Sequence, residues 1–105
     1  MVGIRRSMLF IPGNNPGMIQ NASVFGADSI IFDLEDAVAA DEKDSARQLL
    51  KNALDQLDFQ DIEVVVRINQ LENVNGIEDL KMILPSKPDV ILVPKSQSFI
   101  GDGKT

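Results

Sequence analysis

Four near-continuous apolar runs, separated by helical spacers, limit the fold of this chain more than any other feature. The runs are SMLFI at 7–11, SIIFDL at 29–34, EVVVRI at 63–68 and VILV at 90–93. Continuous Val, Ile, Leu and Phe are typical of parallel strands covered on both faces by helices. The spacers are long enough for right-handed crossovers, so the sequence predicts parallel (β/α) units in the order β-α-β-α-β-α-β.

Each spacer carries its own helix signals. Asn14 or Asn15 can cap the first helix with Pro16 in its first turn, and Gly26 lies where that helix should stop. The third helix should end before Pro85. The apolar residues of the second spacer share one helical face, namely Ala46, Leu49, Leu50, Ala53, Leu54 and Leu57. Those of the third are Ile77, Leu80, Ile83 and Leu84.

Composition excludes several classes of function. The 105 residues carry a formal charge of −6, which disfavours nucleic acid and anionic membrane surfaces as partners. Cysteine and histidine are absent, so disulfides, catalytic triads and Cys/His metal sites are impossible. The apolar runs are too short to span a bilayer or to form a signal peptide, which predicts a cytoplasmic protein.

The second apolar run ends unusually, in a group of carboxylates within IIFDLEDAVAADEKD at 30–44. Alternation along the strands places Asp33 and Glu35 on the face away from the helices, and places Arg67 and Asn69 of the third strand with them. Lys95 follows the fourth strand, on the side of Ile91 and Val93. Because parallel folds build sites at the carboxyl ends of strands, these groups predict a site at one sheet edge.

Simpler interpretations remain for each of these residues. Arg67 can form a structural ion pair with Asp33 or Glu35, since buried charges are usually paired. Glu35 and Asp36 can cap the following loop or helix. Lys95 can be a solvated side chain. The segment 41–44 reads as a capped helix start with acids near its positive end.

Two glycine-containing segments resemble phosphate-binding loops without matching them. GDGKT at 101–105 lacks the first glycine that such a loop requires. IPGNNPG at 11–17 lacks the G-x-G-x-x-G spacing, and its second proline removes an amide donor. Neither segment is therefore predicted to bind phosphate.

Five segments together resemble the HpcH/HpaI aldolase and citrate lyase superfamily, and within it the β subunits of citrate lyase. They are RRSMLFIPGNNPGMI at 5–19, ADSIIFDLEDAV at 27–38, EKDSAR at 42–47, VVVRIN at 64–69 and DVILVPK at 89–95. The resemblance implies a (β/α)8 (TIM) barrel that cleaves a citryl thioester to oxaloacetate and an acetyl thioester with Mg²⁺. It also implies two partner subunits, an acyl carrier protein that carries the thioester and an α subunit that exchanges acyl groups; coenzyme A is the other possible carrier.

The resemblance also implies roles for particular residues. Arg67 would bind the substrate's carboxylate or thioester oxygen and stabilise enolate charge. Glu35 and Asp36 would support Mg²⁺ and its waters without binding the ion directly. The mouth of the site would be lined by Pro12, Gly13, Asn14 and Lys95.

Length separates this chain from a complete barrel, which needs about 250 residues. We therefore expect residues 1–95 to form the N-terminal part of a barrel and 96–105 an irregular tail. Direct metal ligands are expected on later strands, with little or no turnover by the chain alone. Exposed sheet edges and an apolar inner face predict a dimer or higher oligomer.

Three alternatives follow from these observations. The substrate can be a malyl or other 3-hydroxyacyl thioester instead of a citryl thioester. The chain can be a non-catalytic, self-associating assembly module that binds lyase subunits or itself. A receiver-like phospho-acceptor domain fits the length, but it requires an acceptor aspartate after the third strand, where this chain has Arg67.

Overall fold

Four parallel strands form one sheet in the computed structural model, which describes residues 7–94. They are β1 (Met8–Pro12), β2 (Ser29–Asp33), β3 (Glu63–Arg67) and β4 (Val90–Leu92). Each overlaps its predicted apolar run, so all four predicted strands are confirmed. The predicted boundary at residue 95 and the predicted irregular tail at 96–105 lie outside the described residues.

The strands lie side by side in the order in which they occur in the chain, β1-β2-β3-β4, and every neighbouring pair is parallel. The doubly wound sheets of receiver-like domains begin 2-1-3, because the chain reverses direction after its first crossover. The observed order is that of consecutive units in a TIM barrel, so the predicted parallel (β/α) architecture is confirmed. The receiver-like alternative is wrong for this sheet.

A helix follows each of the first three strands. They are α1 (Pro16–Gln20), α2 (Lys43–Gln56) and α3 (Val74–Ile83). Short 3-10 turns at Ala22–Phe25, Ala40–Glu42 and Leu84–Ser86 extend or precede them.

The first helix is shorter than the sequence suggests. Asn15, and not Asn14, caps it, since its Oδ1 accepts a hydrogen bond of 3.1 Å from the Met18 amide. The α-helix ends at Gln20, and the 3-10 turn that follows ends at Gly26 in the left-handed conformation. Gly26 therefore ends the 3-10 turn and not α1 itself.

The hydrophobic core lies between one face of the sheet and the three helices. Alternate strand residues enter it, which confirms the predicted helix-facing positions in β2 and β3. These are Ile11, Ile30, Phe32, Leu34, Val64, Val66 and Ile68, all buried. The helices contribute Ile19, Ala46, Leu50 and Ile83 among others.

The opposite face of the sheet is not covered by helices from residues 7–94, contrary to the two covered faces that the apolar runs suggest but in agreement with the apolar inner face expected of part of a barrel. Strand register places Phe10, Ile31, Val65 and Val90 in one apolar row across this face. Ile31 and Val65 are buried in the middle of the row, whereas Phe10 at its edge is 55% exposed. In a barrel such rows pack against strands on the far side, which accounts for their apolar character.

No helix in the described part of the chain is long and apolar enough to cross a membrane.

Candidate functional site

The next row toward the carboxyl ends of the strands contains an ion pair. Asp33, the last residue of β2, lies opposite Arg67, the last residue of β3. Arg67 donates two hydrogen bonds to it, from Nε to Oδ1 at 3.0 Å and from Nη2 to Oδ2 at 2.7 Å. This two-pronged geometry is the strongest form of a guanidinium–carboxylate pair. The structural ion pair considered from the sequence is therefore present, with Asp33 as its closest partner.

Asp33 also fixes the start of the loop that follows β2. Its Oδ1 accepts a hydrogen bond of 2.8 Å from the Glu35 amide, and its Oδ2 accepts one of 3.1 Å from the Ala37 amide. Asp33 thus performs the loop capping that the sequence left open for Glu35 and Asp36. The capping interpretation is wrong for those two residues among the described contacts.

Glu35 and Asp36 instead face Arg67. Glu35 Oε1 lies 3.6 Å from Arg67 Nε, and Asp36 Oδ2 lies 3.8 Å from Arg67 Nη2. The structure brings together at one sheet edge the three residues that we predict to act on substrate or metal. Their functional roles stay predictions.

The carboxyls of this cluster differ in their electrostatics. Burial raises the pKa of Asp33, but hydrogen bonds from Arg67 and from two backbone amides outweigh it, so the pKa lies below its ordinary value. Burial and the neighbouring Asp36 raise the pKa of Glu35, although Arg67 opposes this. The hydrogen bonds with Asp33 raise the pKa of Arg67, which stays charged. Three carboxylates around one guanidinium make the cluster net negative.

The loop after β1 passes over the end of β2. The Gly13 amide donates a hydrogen bond of 2.8 Å to the Asp33 carbonyl. A Cβ at Gly13 would lie 2.6 Å from Leu34 Cδ2 and 3.0 Å from the Asp33 carbonyl oxygen, so glycine favours this close approach. Asn14 bonds through its amide to Glu42, just before α2. Pro12 ends β1 in the same register row as Asp33 and Arg67. Lys95, the remaining predicted residue of the mouth, lies outside the described residues.

Asn69 does not join the carboxylates, contrary to the predicted alternation. Its side-chain amide donates to Asp79 Oδ2 at 2.6 Å and to the Leu34 carbonyl at 3.0 Å. Asp79, fully buried in α3, also accepts a hydrogen bond of 2.7 Å from Arg47 Nε. Sequence reasoning missed this network because strand alternation gives no information beyond the end of β3. The sequence signal for this network is Asp79, an acidic residue on the face of α3 that packs against the core.

Lys43 was also missed. The segment 41–44 does not form the predicted capped helix start, since Glu42 makes no side-chain cap for α2, and Lys43 Nζ donates to carbonyl oxygens of the loop 34–38. A cation at a helix N-terminus, where the helix dipole disfavours it, was the signal. We call residues 34–38 the acidic loop.

No group of three or more His, Cys, Asp or Glu side chains in residues 7–94 could hold a metal ion. Glu35 and Asp36 have carboxylate oxygens outside the Asp33–Arg67 pair and could accept hydrogen bonds from metal-bound waters. A supporting role of these two carboxylates toward a metal stays a prediction.

Comparison with known proteins gives a consistent set of similarities. The family model described as HpcH/HpaI aldolase/citrate lyase matches residues 6–98. Citrate lyase subunit beta of Leuconostoc mesenteroides subsp. cremoris is 50% identical over 95 residues, which are 90% of this chain and 32% of that protein. The (3S)-malyl-CoA thioesterase of Cereibacter sphaeroides is 45% identical over 93 residues, 89% of this chain and 33% of that protein.

Among solved structures, the citrate lyase beta subunit from M. tuberculosis, complexed with oxaloacetate and magnesium, superposes with a TM-score of 0.73 at 31% identity. The match covers 91% of this chain and 41% of that one. The chain spans about a third of the length of the curated relatives that it matches. The fold is thus shared with these proteins over nearly all of the described residues.

Proposed function

Because the chain belongs to the HpcH/HpaI aldolase/citrate lyase family, we propose that it provides the substrate-recognition half of a carbon–carbon lyase site. The substrate is a citryl thioester, carried on an acyl carrier protein or on coenzyme A, and the products are oxaloacetate and an acetyl thioester. The observation that carries this proposal is the convergence of Arg67, Glu35 and Asp36 where β2 and β3 end.

Arg67 is suited to bind an anionic oxygen while remaining fixed in position. Two hydrogen bonds with Asp33 hold its guanidinium plane, and its Nη1 donates to no residue among 7–94. The side chain is 29% exposed, so those free N–H groups are accessible. When the citryl hydroxyl loses its proton and the C–C bond breaks, the electron pair of that bond passes to the thioester carbonyl oxygen as an enolate, whose carbon then takes up a proton to give the acetyl thioester. A preorganised donor stabilises the charge that develops on that oxygen.

The net negative cluster would repel a citryl group unless a cation joined it. Magnesium suits this position, because it prefers oxygen ligands, retains several waters and, when bound, polarises the substrate oxygen. Glu35 and Asp36 would accept hydrogen bonds from its waters, and the direct ligands would lie outside the described residues. The complex of the M. tuberculosis protein with oxaloacetate and magnesium supports this assignment.

The loop of Pro12, Gly13 and Asn14 would form one wall of the substrate entrance, with Lys95 as a further lining residue. The expected partners are the α and acyl carrier protein subunits of a citrate lyase. Self-association through the open apolar face would cover Phe10 and its neighbours.

A chimaera tests the proposal directly. Residues 7–94 would replace the matching segment of the Leuconostoc subunit, and oxaloacetate release from citryl-CoA with Mg²⁺ would be followed. We expect turnover by the chimaera, and a loss of about 100-fold or more in kcat for Arg67→Lys. A folded chimaera without turnover, or an active Arg67→Lys chimaera, would contradict the proposal. The isolated chain should release oxaloacetate much more slowly.

Hydrolysis or cleavage of a malyl thioester is the second candidate, favoured by the 45% identity with (3S)-malyl-CoA thioesterase. The same donors would bind the malyl carboxylate and thioester oxygen. Supplying the chimaera with malyl-CoA distinguishes the two, because malate, glyoxylate and oxaloacetate are separable products. Preference for malyl-CoA by more than tenfold in kcat/KM would favour this second candidate.

The non-catalytic assembly module is favoured only by the open sheet face. A tight dimer that binds neither citrate, Mg²⁺ nor coenzyme A would support it. Sedimentation of the chain with and without these ligands makes the distinction.

A further inference from the structure

The ammonium group of Lys43 binds the backbone of the acidic loop. Its Nζ donates to the carbonyl oxygens of Glu35 at 2.7 Å, Leu34 at 3.1 Å and Val38 at 3.1 Å. A lysine ammonium has three N–H donors, so these three bonds satisfy it completely. The geometry is that of a cation held by three oxygens, with a side chain tethering the cation to α2.

This placement is unfavourable for α2 itself. Lys43 is the first residue of the helix, where the unpaired backbone N–H groups create a positive end. Acidic residues are favoured there, and Asp44 follows. A local preference broken in this way commonly marks a residue retained for a functional site.

The loop bound by Lys43 carries the two carboxylates that approach Arg67, the half-buried Glu35 and the exposed Asp36. Glu35 and Asp36 lie between the bonded carbonyls of Leu34 and Val38, and the Glu35 carbonyl itself receives the shortest of the three bonds. Fixing these carbonyls fixes the direction in which the two side chains leave the backbone.

We propose that Lys43 is a positioning residue that holds the acidic loop so that Glu35 and Asp36 face Arg67. Its role is to act as a tethered cation for three backbone carbonyls, and it contacts neither substrate nor metal. The inference rests on the proposed function for its meaning, but the geometry of the loop can be measured without any turnover.

Two other contacts hold the ends of this loop, so the effect of Lys43 should be local. The Leu34 carbonyl also accepts a hydrogen bond from Asn69, and Asp33 accepts bonds from the amides of Glu35 and Ala37. Removing Lys43 leaves the donors and acceptors of these contacts in place, but the bonds from the Glu35 and Ala37 amides to Asp33 should open more often, because the carbonyls of Glu35 and Val38 are no longer held. The loop should loosen at Glu35 to Val38 while β2, β3 and α3 stay intact.

Amide hydrogen exchange in the whole chain tests this. In Lys43→Ala, exchange at the Glu35 and Ala37 amides is expected to accelerate by about tenfold or more, with no change at Val66 in β3. Lys81→Ala is the matched control. It removes the same charge as Lys43→Ala, but Lys81 is 71% exposed on α3. It should leave both loop amides unchanged.

Chemical rescue separates positioning from a general loss of stability. n-Propylammonium is the part of the lysine side chain that Lys43→Ala lacks, and it should restore slow exchange at Glu35 and Ala37. Sodium at the same concentration controls for ionic strength. Lys43→Arg should not keep the slow exchange, because a planar guanidinium cannot direct three donors from a single nitrogen to the three carbonyl oxygens.

The outcomes are distinct. Faster exchange everywhere, including Val66, or unchanged exchange at the loop, would overturn the proposal. If Lys43→Ala does not fold, Lys43→Gln, which keeps two donors, must show intermediate loop protection, and full wild-type protection there would also overturn it. A folded chimaera without lyase activity, together with the loop effect in the chain, would refute the proposed function alone.

Discussion

Asp33 and Arg67 occupy directly opposed positions at the ends of β2 and β3, and both carboxylate oxygens of Asp33 accept a hydrogen bond from Arg67. The same two oxygens also accept hydrogen bonds from the backbone amides of Glu35 and Ala37. One buried carboxylate therefore aligns the guanidinium and the acidic loop together. This couples the stability of the sheet edge to the geometry of the candidate site.

Asp33→Asn should lower the free energy of unfolding by about 2 kcal/mol, because the amide cannot accept from Arg67 with both of its heteroatoms. Arg67 is partly exposed, which keeps the loss below that of a fully buried pair. Urea unfolding monitored by circular dichroism would measure it. Asp55→Asn removes a carboxylate paired with Lys51 at the surface and should have a much smaller effect. Equal losses for the two variants would contradict this account.

The Asp33 pair also predicts a pH dependence. The folded pKa of Asp33 lies below the ordinary value of 3.8, so the unfolded chain takes up this proton at higher pH. The contribution is fully present above about pH 4 and is lost as the pH falls through the lower folded pKa. The difference in unfolding free energy between wild type and Asp33→Asn should therefore shrink below pH 3.8. A difference independent of pH would contradict the assignment.

Glu35 should behave in the opposite way, because its folded pKa lies above 4.5. A raised carboxyl pKa contributes stability below pH 4.5, and that contribution is lost as the pH rises through the folded value. Glu35→Gln should accordingly be slightly more stable than wild type at pH 7, with the advantage vanishing near pH 4. Urea midpoints at the two pH values would show it, with Glu78→Gln on the surface of α3 as control. A less stable Glu35→Gln at pH 7 would refute it.

Several of these features were accessible from the sequence and others were not. The period of two along a strand is sufficient to place Asp33 and Arg67 on one face, because both lie within regular strands. The partners of Asn69 and Lys43 depend on loop conformation and on contacts with distant residues, for which a single sequence has no periodic signal. The apolar runs alone do not distinguish an open inner face from a second layer of helices, because strands facing a barrel interior are as apolar as strands facing helices; the expectation of an open face depends on the family resemblance.

Gly76→Ala should be strongly destabilising. Gly76 in α3 packs against the backbone that follows β3, and an added Cβ would clash with the carbonyl oxygen of Gln70 and lie 2.5 Å from that of Asn69. Backbone atoms cannot move aside without shifting the loop, so a loss of about 3 kcal/mol or more is expected in urea unfolding. Gly17→Ala in α1 meets nothing closer than 3.7 Å and should be nearly neutral. A neutral Gly76→Ala would show that α3 lies farther from this loop.

Removing one member of the buried pair Arg47–Asp79 should lower the free energy of unfolding more than replacing both members by apolar residues. Asp79 is fully buried and bonds to Arg47 and to the amide and side chain of Asn69. Asp79→Leu removes the buried partner of Arg47, which keeps only Asn75 and the exposed Asp44 among its partners in residues 7–94, and should lose about 3 kcal/mol, whereas adding Arg47→Met should recover a large part of that loss. Urea unfolding of the two single variants and the double variant gives the coupling energy.

That double variant also separates stability from the geometry of the site. With Asp79 gone, Asn69 is no longer oriented toward the Leu34 carbonyl, so the first residue of the acidic loop loses one of its two side-chain donors. Hydrogen exchange at Glu35 should therefore stay faster than in wild type even where Arg47→Met has restored the unfolding free energy. Recovery of both together would mean that the network stabilises the fold without orienting the loop.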